Sequence, residues 1–65
     1  MLVKFNEIKV GEQFLADNGN GKPVVYERGY FTIMKTWKEG VDYNAKQVET
    51  KTLRQFEDDE EVIKV

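Results

Sequence analysis

The chain has no cysteine, no histidine and no serine. Without thiols there is no disulfide staple and no thiolate metal site, which fits a reducing compartment better than a secreted mini-scaffold. Losing serine, cysteine and histidine together removes the commonest nucleophiles and the one side chain that titrates near neutrality. Carboxylates, lysines, threonines and tyrosines are left to do any chemistry. A chain of 65 residues also has little room for a deep pocket. A non-enzymatic protein without cofactor or metal is therefore expected. Long apolar runs are missing too: nothing approaches the ~20 residues of a membrane span. The opening Met1-Leu2-Val3-Lys4-Phe5 meets charge too early for a secretory leader. A cytoplasmic location and no membrane partner are expected.

Charge is unevenly spread. The formal net charge is −2, yet residues 1–56 carry nine basic and seven acidic groups, while residues 57–65 carry one and five. An acidic total argues against non-specific binding to DNA through a broad basic face, although a local basic patch remains compatible with it.

What the chain does have is β-forming sequence. Gly29-Tyr30-Phe31-Thr32-Ile33-Met34-Lys35-Thr36-Trp37 combines aromatic and β-branched residues most densely and predicts a central strand, opened by Gly29 and closed by Lys38-Glu39-Gly40. Alternation places Tyr30, Thr32, Met34 and Thr36 on one face and Phe31, Ile33, Lys35 and Trp37 on the other, with Phe31 and Ile33 read as facing the core. Residues 2–5, 12–16, 24–26, 43–48, 52–56 and 61–65 predict further strands. Residues 6–12 form a turn-rich connection pivoting on Gly11, with a helical turn at Phe5–Lys9 as the alternative. Phe5, Ile8, Val10 and Phe14 make a first apolar set. The wider predicted core is Phe14, Phe31, Ile33, Val48, Leu53, Phe56 and Val62. Leu53 and Phe56 fall on opposite faces by strict alternation, which calls for a bulge or a second packing surface. One domain over residues 1–65 is expected, all-β, as a small antiparallel five- to six-stranded SH3-like barrel or strongly bent sheet.

Asp17-Asn18-Gly19-Asn20-Gly21-Lys22-Pro23 reads as a hairpin tip. A phosphate-cradling loop is disfavoured, because the Walker pattern needs longer glycine spacing and a hydroxyl residue after the lysine, where Pro23 stands. A calcium loop fails because the third and fifth positions from Asp17 are glycines.

Phe5-x-x-Ile8-Lys9-Val10-Gly11-Glu12-x-Phe14, the stretch Phe31-Thr32-Ile33-Met34-Lys35-Thr36, and Asn44-Ala45 followed by Phe56, Val62 and Val65 together resemble a family of small bacteriophage and prophage proteins. The resemblance spans nearly the whole chain through short, framework-like motifs. It implies an SH3-like β-barrel from a phage or prophage accessory gene, generally without an assigned activity, working in the host cytoplasm. Two departures stand out: residues 17–29 are longer than the pattern, and the turn at 49–51 lacks its glycine.

Three functions follow as expectations. The first is binding of a host or anti-phage defence protein so as to modulate or inhibit it, with Tyr26, Tyr30, Trp37 and Tyr43 as exposed anchors. The second is nucleic-acid or nucleotide binding, with the aromatics stacking on bases and Lys35, Lys38, Lys46, Lys51 and Arg54 meeting phosphates. The third makes the acidic run Glu57, Asp58, Asp59, Glu60 and Glu61 a mimic of nucleic-acid phosphates. Each has a plainer counterpart: rim packing for the aromatics, a solvated surface for the lysines, an exposed turn for the carboxylates.

Overall fold

A computed structural model describes all 65 residues. Six strands, β1 (Leu2–Lys4), β2 (Gln13–Asp17), β3 (Pro23–Met34), β4 (Gly40–Gln47), β5 (Leu53–Arg54) and β6 (Glu61–Lys64), form one antiparallel sheet in the order β1-β6-β2-β3-β4-β5. The all-β expectation holds. The sheet is bent but not closed, since β1 and β5 are not hydrogen-bonded to each other.

An aromatic cluster fills the concave side. Phe5, Phe14, Tyr26 and Phe56 meet at centroid separations of 5.2–5.7 Å, with Phe5 stacked on Phe56 and the Phe14 ring edge-on to both. Ile8, Ala16, Ala45 and Val62 complete the core. Two guanidinium groups bracket the cluster. Arg28 lies 4.7 Å from the Phe5 ring centroid and donates to the carbonyls of Phe5 and Ile8, fastening the residue 5–8 segment to the sheet. Arg54 lies 4.2 Å from the Phe56 centroid, donates to the Asp17 carbonyl at 2.6 Å and pairs with Glu60 at 3.2 Å, so its side chain spans the gap the open sheet leaves.

Several expectations need correction. Residues 24–26 and the first part of the predicted central strand are one continuous strand, β3, running unbroken through residues 27–29, whereas Lys35, Thr36 and Trp37 fall in the turn beyond it. Between Arg28 and Phe31 the register against β4 slips by one residue: Arg28 pairs with Ala45 and Phe31 with Tyr43. This bulge bends the strand, and the core lies on its N-terminal side, served by Val24, Tyr26 and Arg28. Ile33 is consequently 48% exposed and Phe31 only half-buried. The Phe31 ring folds back over Gly29, where an added Cβ would come 2.8 Å from it. Phe14, Phe56 and Val62 are buried as expected, while Val48 and Leu53 are only half-buried and Val10 lies exposed.

Leu53 and Phe56 escape their conflict because β5 ends at Arg54. Phe56 then leaves the strand and turns inward, held by the Asn44 side-chain amide, which donates to the Phe56 carbonyl and accepts from its N–H, both at 2.8 Å. Residues 5–7 form a single 3₁₀ turn, the helical alternative in shortened form. Gly11 takes φ +92° and its N–H meets the Arg28 carbonyl, as a pivot there requires. Lys51, in the turn where the resembled pattern has glycine, takes φ +66°.

Candidate functional site

Past the bulge, β3 and β4 leave the body as a two-stranded arm. The ladder runs from Phe31↔Tyr43 to Met34↔Gly40, and residues 35–39 close the tip. Thr36 orders that tip: its hydroxyl accepts from the N–H groups of Lys38 and Glu39, and its own N–H meets the Glu39 carbonyl. From Gly29 to Thr36 the arm reaches roughly 20 Å at strand rise. The molecule is correspondingly long, 40 × 23 × 18 Å, with a radius of gyration of 12.1 Å against about 11 Å for a globule of this length.

Four of the six predicted binding residues, Tyr30, Lys35, Trp37 and Tyr43, lie on this one element. Trp37 stands at the tip, 84% exposed, with the ammonium of its neighbour Lys38 4.5 Å from the ring centroid. Tyr30 is 82% exposed. With Phe31, Thr32, Asp42 and the half-buried Tyr43 it lines a shallow depression of about 270 Å³. Lys46 sits at the arm's root, 5.2 Å from the Phe31 centroid. Tyr26 does not belong to this surface: it is 3% exposed and part of the aromatic core. Exposed aromatic side chains without a packing partner are what a protein interface desolvates, since tyrosine and tryptophan combine large apolar area with a polar handle.

The basic residues considered for phosphate contact do not converge. Lys35 and Lys38 are at the arm tip, Lys51 lies beyond the far end of β4, roughly 25 Å along the strand, and the Arg54 guanidinium is occupied by Asp17 and Glu60. The acidic run forms a turn at the end of the sheet opposite the arm. The register places Glu61 at the end of β6 that lies beside the Asp17 end of β2. Glu60 is engaged with Arg54, and the carbonyls of Asp58 and Glu60 hold the N–H groups of Asn6 and Phe5, leaving Glu57, Asp58, Asp59 and Glu61 facing water. In the neighbouring 17–23 tip, the Asp17 carboxylate already accepts from the N–H groups of Gly19 and Gly21, at 2.9 and 2.8 Å. A phosphate would have to displace that carboxylate from the very donors it needs.

Reasoning from sequence missed a second apolar surface. Leu2 pairs with Ile63, Ile63 with Leu15 and Leu15 with Val25, while the Val48 N–H bonds to the Val25 carbonyl. These residues make a row across the convex face. Beside Val25 it opens into a groove of about 410 Å³ flanked by Pro23, Val48 and Gln13. The signal was present as apolar doublets, Leu2-Val3, Phe14-Leu15, Val24-Val25 and Val62-Ile63, in which one member packs on the core and the other looks out. No protein-family model, curated protein or solved structure matches the chain.

Proposed function

We propose that this chain is a non-enzymatic protein-binding module that grips its target through the arm of residues 30–43, with Trp37 as the principal anchor. Among the three functions, binding to a protein is favoured by Trp37, a tryptophan held by an ordered turn at the end of a projecting hairpin and left 84% exposed beside the Lys38 ammonium. A phage or prophage accessory role, directed at a host or anti-phage defence protein in the host cytoplasm, is proposed on the resemblance alone. Tyr30, Tyr43 and Lys35 would flank the anchor, and the distant carboxylates at residues 57–61 would act through long-range steering.

The test is capture from host lysate followed by affinity measurement on the purified partner, for the parent, Trp37→Ala, and Asp58→Asn with Asp59→Asn. Truncating Trp37 is expected to weaken the complex by about 2 kcal/mol, roughly 30-fold. Neutralising the two aspartates is expected mainly to slow association and reduce its salt dependence. Binding that survives Trp37→Ala but is lost on neutralising Asp58 and Asp59 would replace this reading with phosphate mimicry. Tight binding of a mixed oligonucleotide, weakened by changing Lys35 and Lys46, would replace it with nucleic-acid recognition.

A further inference from the structure

The outer edge of β3 along the arm is unpaired. β2 accompanies β3 only as far as Glu27, after which the Arg28 N–H and C=O are taken by Glu12 and Gly11. From Gly29 to Met34 no strand pairs with that edge, and none of the loop hydrogen bonds reaches its backbone groups. Proteins usually protect such an edge with lysine, proline or an inward charge. Gly29-Tyr30-Phe31-Thr32-Ile33-Met34 has none of these. It is an uncharged, β-favouring run of the kind that adds another strand most readily.

We infer that this edge pairs with the same edge of a second copy of the chain, as an antiparallel two-fold dimer centred on Thr32. Self-complementarity selects the occupant. With Thr32 opposite Thr32, Phe31 faces Ile33 and Tyr30 faces Met34, which are aromatic pairings with a β-branched and a flexible apolar partner, and the central threonines form a favourable polar pair. Lys35 meets Gly29, so no like charges face each other across the ladder. The arm's other edge, on β4, is of a different kind. It carries Asp42, with Glu39 just beyond, charges of the sort that discourage strand addition.

The extent of pairing is bounded by the molecule itself. It stops at Gly29 because Glu12 and Gly11 occupy the edge at Arg28. The result is a four-stranded ribbon in the order β4-β3-β3-β4, turning a hairpin that is marginal in water into a sheet wide enough to hold its shape. Covering much of Tyr30, Ile33 and Met34 from both copies buries less than the standard interface class, so the dimer is expected to be weak and concentration-dependent. Trp37 lies outside the paired stretch, and the two tips stand at opposite ends of the ribbon. This pairing uses the backbone edge and leaves Trp37 outside it, although it covers Tyr30, one of the residues proposed to flank that anchor.

Sedimentation velocity from about 5 µM to 1 mM tests it, together with isotope-filtered NMR on a mixed labelled and unlabelled sample. The expected results are a monomer–dimer equilibrium and contacts between the Phe31 ring of one copy and the Ile33 methyl groups of the other. Thr32→Lys, which sets ammonium groups face to face, should raise the dissociation constant at least 10-fold, while Thr32→Val should leave it within about 3-fold. Circular dichroism confirms that both variants are folded. A parent chain that stays monomeric at 1 mM, or a dimer indifferent to Thr32→Lys, overturns the inference. Neither result bears on the Trp37 affinity test.

Discussion

Phe5, Phe14, Tyr26 and Phe56 pack ring against ring in the body, bracketed by two arginines, whereas Tyr30, Phe31, Trp37 and Tyr43 are strung along an arm that touches little besides itself. The two sets are chemically alike and of equal number, and both include residues of β3. What separates them is the bulge after Arg28. Up to that point β3 has β2 on one side, β4 on the other and a core beneath it; beyond it only β4 remains. Burial of aromatic surface therefore stabilises the body and is left unused in the arm, where it is available to a partner.

The sharpest way to break this comparison is to truncate one residue from each side. Phe56→Ala removes a fully buried ring and is expected to lower stability by about 3–5 kcal/mol, enough to unfold a domain of this size. Ile33→Ala, in the arm, is expected to cost less than about 1 kcal/mol, as exposed positions usually do. Urea denaturation followed by circular dichroism measures both. Comparable losses at Phe56 and Ile33 would mean that the arm belongs to the cooperative core after all.

These two residues also show how far the sequence could be read. Phe14 is recognisable as core because turn chemistry isolates its short strand, and Phe56 because a large aromatic beside an acidic turn has little else to do than pack inward, although the way it turns off β5 is not legible. Ile33 and Phe31 were misassigned because alternation says which residues share a face but not whether anything packs on it, and a bulge at Gly29 changes the answer midway along a strand. The arm's aromatics were legible as binding candidates by type. Tyr26 was indistinguishable from them until its ring was placed against Phe14 and Phe56. Arg54 reads as a phosphate contact and the Arg28 side chain draws no reading at all, since nothing local announces that a guanidinium will reach the carbonyls of Phe5 and Ile8 or of Asp17. The convex apolar row was visible only as doublets whose alignment depends on strand order.

A smaller effect is expected in the body, at Lys51. Lys51 holds φ +66° in the turn between β4 and β5, a left-handed conformation that a side chain disfavours. Lys51→Gly relieves that strain but loosens the unfolded chain, so a net gain of about 0.5–1 kcal/mol is expected, read as a raised melting temperature. A loss would show that the Lys51 side chain contributes more to this turn than its backbone strain takes away.

The bulge makes the arm a separate, weakly held element mounted on the body. Native-state amide hydrogen exchange at low micromolar protein, where self-pairing is negligible, tests it most directly. Amides of the body ladders, such as those around Phe14, Tyr26 and Val62, should be protected to nearly the global unfolding free energy, while the amides bonded between β3 and β4 at residues 31–34 and 40–43 should exchange at least 30-fold faster through local opening, about 2 kcal/mol less protection. Equal protection in arm and body would contradict the account.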